Sequence, residues 1–135
     1  MAGYSGTPLP KKLGIKEGSR VAVLHKPDGF DATLGELPDN VTVTERLGKS
    51  HDVIVAFVDS RAHLERAVAK LEQAVFPNGA IWVAWPKKAS KVPTDITEDT
   101  LREVCLPRGL VDVKVCAIDD TWSGLKLVWR KELRT

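Results

Sequence analysis

The side chains suited to chemistry in this 135-residue chain collect in short turns that follow apolar runs. His25-Lys26-Pro27-Asp28-Gly29-Phe30 follows Val21-Ala22-Val23-Leu24, and Glu45-Arg46 follows Val41-Thr42-Val43-Thr44. Asp59-Ser60-Arg61 follows Val53-Ile54-Val55-Ala56-Phe57-Val58. The carboxylates of Asp28, Glu45 and Asp59 are acceptors for ligand hydroxyls. Gly29 permits a close backbone approach, while Ser60 opens a helix whose first N–H groups can face an anion, with Arg61 adding charge. Trp85, Lys87, Asp119, Asp120 and Trp122 fall at similar positions further on. The set can form a polar pocket with aromatic walls, or simply a solvated rim of loop residues. Either way the expected ligand residues, if a ligand binds, are Asp28, Gly29, Glu45, Asp59, Ser60 and Arg61.

Other constellations read more plainly. Ser60 and His63, three residues apart at a helix start, are explained by capping rather than by a nucleophile and its base. Lys87, Lys88 and Lys91 form a basic run of the kind that is usually a solvated loop. Cys105 and Cys116 each have apolar neighbours and read as buried, reduced thiols. His25, His51 and His63 are scattered, and no Cys/His pair has ligand spacing, so no metal site is expected.

The elements that position these turns follow from periodicity. Val21–Leu24, Val53–Val58 and Ala80–Trp85 are continuous apolar runs, as expected of parallel strands buried on both faces. Val41–Thr44 is a short β-branched edge strand, and the few residues between it and Val53 predict a loop crossover without a helix. Leu64, Ala67, Val68, Leu71, Ala74 and Val75 repeat at helical spacing after the Ser60 cap, with Pro77-Asn78-Gly79 expected to end that helix and turn into the next strand. A second helix starts near Thr97, with Glu98 and Asp99 in its first turn. A helical turn is expected over Leu9–Ile15, and one or two turns over Asp31–Leu37 ended by Pro38. Val111–Ile118 and Leu125–Trp129 read as a closing antiparallel pair around Trp122-Ser123-Gly124. The fold class is therefore α/β, three-layer and Rossmann-like, with a mainly parallel six-stranded sheet ending in an antiparallel hairpin, for which the resemblance given below implies the order 2-1-3-4-6-5. Residues 1–8 read as a flexible arm and 9–135 as a single domain.

Composition bounds the function. A net charge of +2 supplies no broad field for nucleic acid or an anionic membrane. No run approaches the roughly 18 apolar residues of a membrane span, and no apolar leader is visible, so a cytoplasmic protein is expected.

Several segments carry a resemblance. Leu13-Gly14-Ile15-Lys16-Glu17-Gly18-Ser19-Arg20-Val21, Asp52–Val58 and Phe76-Pro77-Asn78-Gly79-Ala80-Ile81-Trp82-Val83, with the terminal hairpin, resemble class I (S-adenosylmethionine-dependent) methyltransferases over roughly residues 9–132. The third strand of that family and its flanking helix are missing. The whole chain also resembles a bacterial family of short proteins without an assigned activity, which open with Gly-Tyr-Ser-Gly-Thr-Pro and carry a degenerate version of this fold. The resemblance implies a Gly-rich loop after the first strand and an acid after the second that binds ribose hydroxyls. Glu45 matches the acid and Asp59 the polar residue ending the family's fourth strand. Lys26-Pro27, however, stands where the loop's glycines belong.

No cofactor is expected on this reading. The leading expectation is a noncatalytic methyltransferase-like domain acting through a protein partner or as a homo-oligomer. A small-molecule or nucleotide binder using the rim, and an active transferase with an atypical loop, stand as alternatives.

Overall fold

A computed structural model describes residues 7–134 of the chain. Most of the expected mobile arm (residues 1–6) lies outside the described residues. The chain order is α1 (Leu9–Leu13), β1 (Arg20–Leu24), α2 (Phe30–Leu34), β2 (Thr42–Thr44), β3 (His51–Phe57) and α3 (Arg61–Ala74), then β4 (Val75–Pro86), α4 (Glu98–Cys105), β5 (Leu110–Ala117) and β6 (Trp122–Trp129). The six strands lie in the order β2-β1-β3-β4-β6-β5, as expected. β1, β2, β3 and β4 run parallel, and β6 lies antiparallel between β4 and β5.

Alternation along each strand sends successive side chains to opposite faces, and two cores result. Val21, Val23, Val53, Val55 and Trp82 pack under Leu9 and Leu13 of α1 and Phe30 and Leu34 of α2. Ala22, Ile54, Ala56, Ile81 and Val83 pack under Leu64, Val68 and Leu71 of α3 and Leu101 and Cys105 of α4. Trp82 is fully buried, and its indole Nε1 donates to the Leu13 carbonyl at 3.0 Å, tying the lead-in helix to the centre of the sheet. A Cβ on Gly124 would sit 3.2 Å from the Trp82 ring, so the indole lies against a strand that carries no side chain there.

Three boundaries differ from the sequence expectations. Pro77-Asn78-Gly79 does not separate α3 from the next strand; α3 ends at Ala74, and Val75 already pairs with His51. The next pair is Val53 with Ala80, so residues 76–79 form a bulge within β4. Gly79 is required there because a Cβ would meet the His51 and Asp52 carbonyls at 2.9 Å. Trp122-Ser123-Gly124 is not the hairpin turn but the start of β6. The turn falls before it, where Asp119 Oδ1 accepts from the Thr121 and Trp122 amides, each at 2.8 Å. α2 stops at Gly35, with φ +76°, well before Pro38.

The expected crossover without a helix is present: residues 45–50 link β2 to β3 as a loop. His51 anchors it, for Gly48 N–H donates to Nε2 at 2.9 Å. Nδ1 therefore carries the proton, buried and with no acceptor among the described residues. Burial lowers the His51 pKa below 6.5, with Arg20 acting in the same direction and Asp52 against it.

The unfolded chain protonates His51 near 6.5, whereas the folded chain protonates it only at lower pH. Stability is thus complete above that value and is lost as pH falls below it towards the folded midpoint. Melting is expected at a lower temperature at about pH 5.5 than at about pH 7.5. Imidazole NMR should show a His51 midpoint below that of an exposed histidine, and a midpoint at or above it would refute the assignment. Replacing Trp82 by Phe should cost about 1–3 kcal/mol in urea unfolding, since the buried Leu13 carbonyl loses its partner.

The thiols differ from the expectation that both are buried. Cys105 is buried in α4, and that burial pushes its pKa to about 12. Cys116 is only half-buried on β5; burial raises its pKa, opposed by Lys12 and Lys114. In native protein a thiol reagent should label Cys116 slowly and Cys105 only on unfolding, read by peptide mass mapping. Prompt native labelling of Cys105 would contradict the packing of α4.

Candidate functional site

The carboxyl ends of β1 and β3 form the switch point of the sheet. The chain leaves β1 towards α2 on one face and leaves β3 towards α3 on the other, which is where open α/β sheets hold ligands. The two sides of this crevice differ.

On the α2 side it is filled. Phe30 meets Phe57 edge-on with centroids 5.0 Å apart, and Phe57 meets Trp122 likewise at 4.9 Å. Above them Lys26 reaches across the opening. Its Nζ lies 3.0 Å from Asp31 and 3.3 Å from Glu45, the residue directly after β2. The two carboxylates, Asp31 first, raise the Lys26 pKa. Asp28 and Gly29 stand exposed on the intervening turn, where Gly29 adopts φ +82° to cap α2. Pro27 contributes no N–H to this loop.

The Asp59, Ser60 and Arg61 group is also engaged with the protein itself. Ser60 Oγ accepts from the His63 amide, as its capping role predicts. The Arg61 amide, expected to be free for an anion, instead donates to Asp95 Oδ1 at 2.8 Å. Asp95 brings a carboxylate to the positive end of the helix from 34 residues away, and the Asp59 carbonyl accepts from Thr94 Oγ1 in the same contact. The Arg61 guanidinium turns to Glu65 and Glu103, at 3.2 and 3.1 Å. The structure therefore brings Glu45 to Lys26 and Asp59 to His63, and it sends Arg61 away from both.

On the α3 side the crevice is open. A cavity of about 340 Å³ is lined by Leu24, His25, Leu47, His63, Arg66, Ala67, Lys70 and Leu71. It exists because no crossover helix covers this face of β1 and β2. Sequence reasoning placed His25 on the rim but missed Arg66, Lys70 and Leu47. The available signal was the stripe His63, Arg66, Ala67 and Lys70, one helical turn apart beside the buried Leu64–Leu71 stripe. The other rim indole, Trp85, is a packing element buried in the α3-side core. Among the described residues no group of His, Cys, Asp and Glu could hold a metal ion, and no helix is long and apolar enough to cross a membrane.

No protein-family model matches the chain, and no curated protein matches it either. Solved structures do. An S-adenosylmethionine-dependent methyltransferase from Aquifex aeolicus is 15% identical, with 87% of this chain and 85% of that one covered at a TM-score of 0.61. A ribosomal protein L11 methylase from Lactobacillus delbrueckii subsp. bulgaricus is 10% identical, with 90% and 75% covered at 0.61. Aeropyrum pernix fibrillarin, solved with natively bound S-adenosyl-L-methionine, is 16% identical, with 93% and 70% covered at 0.57. Identities this low speak for the fold alone. The chain has a class I methyltransferase-like fold.

Proposed function

We propose that this chain is a noncatalytic methyltransferase-like domain that acts through protein contacts. The observation that carries the reading is the ion-pair bridge from Lys26 to Asp31 and Glu45. A cofactor site of this fold needs backbone N–H groups near the ligand and an acid free for ribose. Here Pro27 removes one donor, Lys26 places a charged side chain in the loop, and Glu45 already has a cation as its partner. These residues do not fit S-adenosylmethionine. The aromatic rings of Phe30, Phe57 and Trp122 pack edge to face on that side, which further supports the reading.

The contact role is supported by the free edge of the sheet. β5 ends the strand order, and Val113 and Val115 on it are 53% and 41% exposed. An edge with unpaired backbone groups and exposed valines suits a second chain, whether another protein or a second copy. Calorimetric titration with S-adenosylmethionine is expected to show no binding tighter than ~10 μM, about −7 kcal/mol. A tighter constant would overturn the noncatalytic reading and restore the transferase.

A further inference from the structure

We propose that the open cleft between β1, the 45–50 loop and α3 binds a small anion with an apolar body, such as an aromatic or aliphatic carboxylate or phosphate monoester. The floor is apolar, being formed by Leu24, Leu47, Ala67 and Leu71. The wall is cationic. Arg66 and Lys70 line the cleft one helical turn apart, and neither makes an ion pair among the described residues. The other α3 side chains next to them behave differently: Arg61 pairs with Glu65 and Glu103, and Glu72 takes Arg108. No carboxylate lines the cleft, so its two cations have no partner within it.

The mouth adds a second observation. His25, the first residue after β1, takes φ +55°, a left-handed conformation uncommon outside glycine. This turns its imidazole onto His63 in an edge-on contact with centroids 4.7 Å apart and planes at 75°. His63 Nδ1 in turn lies 3.6 Å from Asp59 Oδ1. The paired rings add a flat wall beside the cations. A volume of about 340 Å³ sits at the small end of the range for ligand pockets, which suits one ring or a short chain and excludes a dinucleotide. The charge chooses the sign of the ligand, and the floor requires that it carry more than charge.

The site is independent of the noncatalytic reading. Leu24 and Leu47 pack with the α3-side core, whereas Lys26 pairs with α2 on the other face. The probe is phenyl phosphate, with inorganic phosphate and benzyl alcohol as the charge-only and ring-only controls, followed by amide NMR on the full chain. Phenyl phosphate is expected to shift the amides of Leu24, Leu47, Ala67 and Leu71 and to bind about tenfold or more tightly than either control. The Arg66→Gln/Lys70→Gln double variant, which alters only exposed side chains, should weaken binding about tenfold with its spectrum otherwise retained. Ala67→Phe, which fills the floor, should abolish it. Unshifted cleft amides at millimolar probe, unchanged affinity in the double variant, or equal binding of benzyl alcohol would each overturn the proposal. A response only to an acidic amphipathic peptide would overturn it too, and would make the cleft a protein-docking groove. S-adenosylmethionine binding at the Lys26 turn would leave the cleft assignment standing while removing the noncatalytic reading.

Discussion

The central strands must be covered on both faces, and the rest of the structure follows from that constraint. β1, β3 and β4 carry apolar residues without a polar alternation, so neither face tolerates water. Each fully buried Val, Ile or Leu contributes about 1.5–3 kcal/mol only while its cover stays in place. α1 and α2 cover one face and α3 and α4 the other. The Trp82–Leu13 hydrogen bond holds α1, a cover of only five residues, in position. A helix that short has little stability of its own, and packing supplies the remainder.

The same constraint explains where the molecule is open. A parallel crossover usually lays a helix across the sheet, but β2 and β3 are joined by a loop. One side of β1 therefore meets Leu47 of that loop and α3 rather than a crossover helix. The opening has an apolar floor because the strands there were built to be covered, and it has a cationic wall because α3 turns its exposed stripe to it. Cleft and missing helix are one feature.

At the switch point, where open α/β sheets hold ligands, the side chains satisfy one another. Lys26 neutralises Glu45, Asp95 occupies the start of α3, and three aromatic rings pack the α2 side. Each contact takes a group that the fold offers to a ligand and gives it a partner within the chain. On the opposite face, Arg66 and Lys70 line the cleft with no such ion-pair partner among the described residues.

The loop crossover, the Ser60 cap and the two-faced burial of the centre were legible in the sequence, because each depends on spacing within a few residues, whereas the strand order was legible through the family resemblance. Continuous apolar runs demand two covered faces, and a short connection cannot hold a helix. The missing backbone donor in the turn after β1 was equally legible, since Pro27 lacks its N–H in any fold. The true hairpin turn was not. Asp119 capping two amides outweighs the turn tendency of Ser123-Gly124, and Gly124 is needed instead beneath Trp82. Nor could sequence reveal that Arg61 would face Glu103, that Asp95 would reach the α3 N-terminus, or that Glu45 would meet Lys26. Those pairings join residues 19 to 42 positions apart, and a charged side chain carries no local mark of its partner. Only the tertiary structure decides which of the chain's charges neutralise one another and which are left facing a cleft.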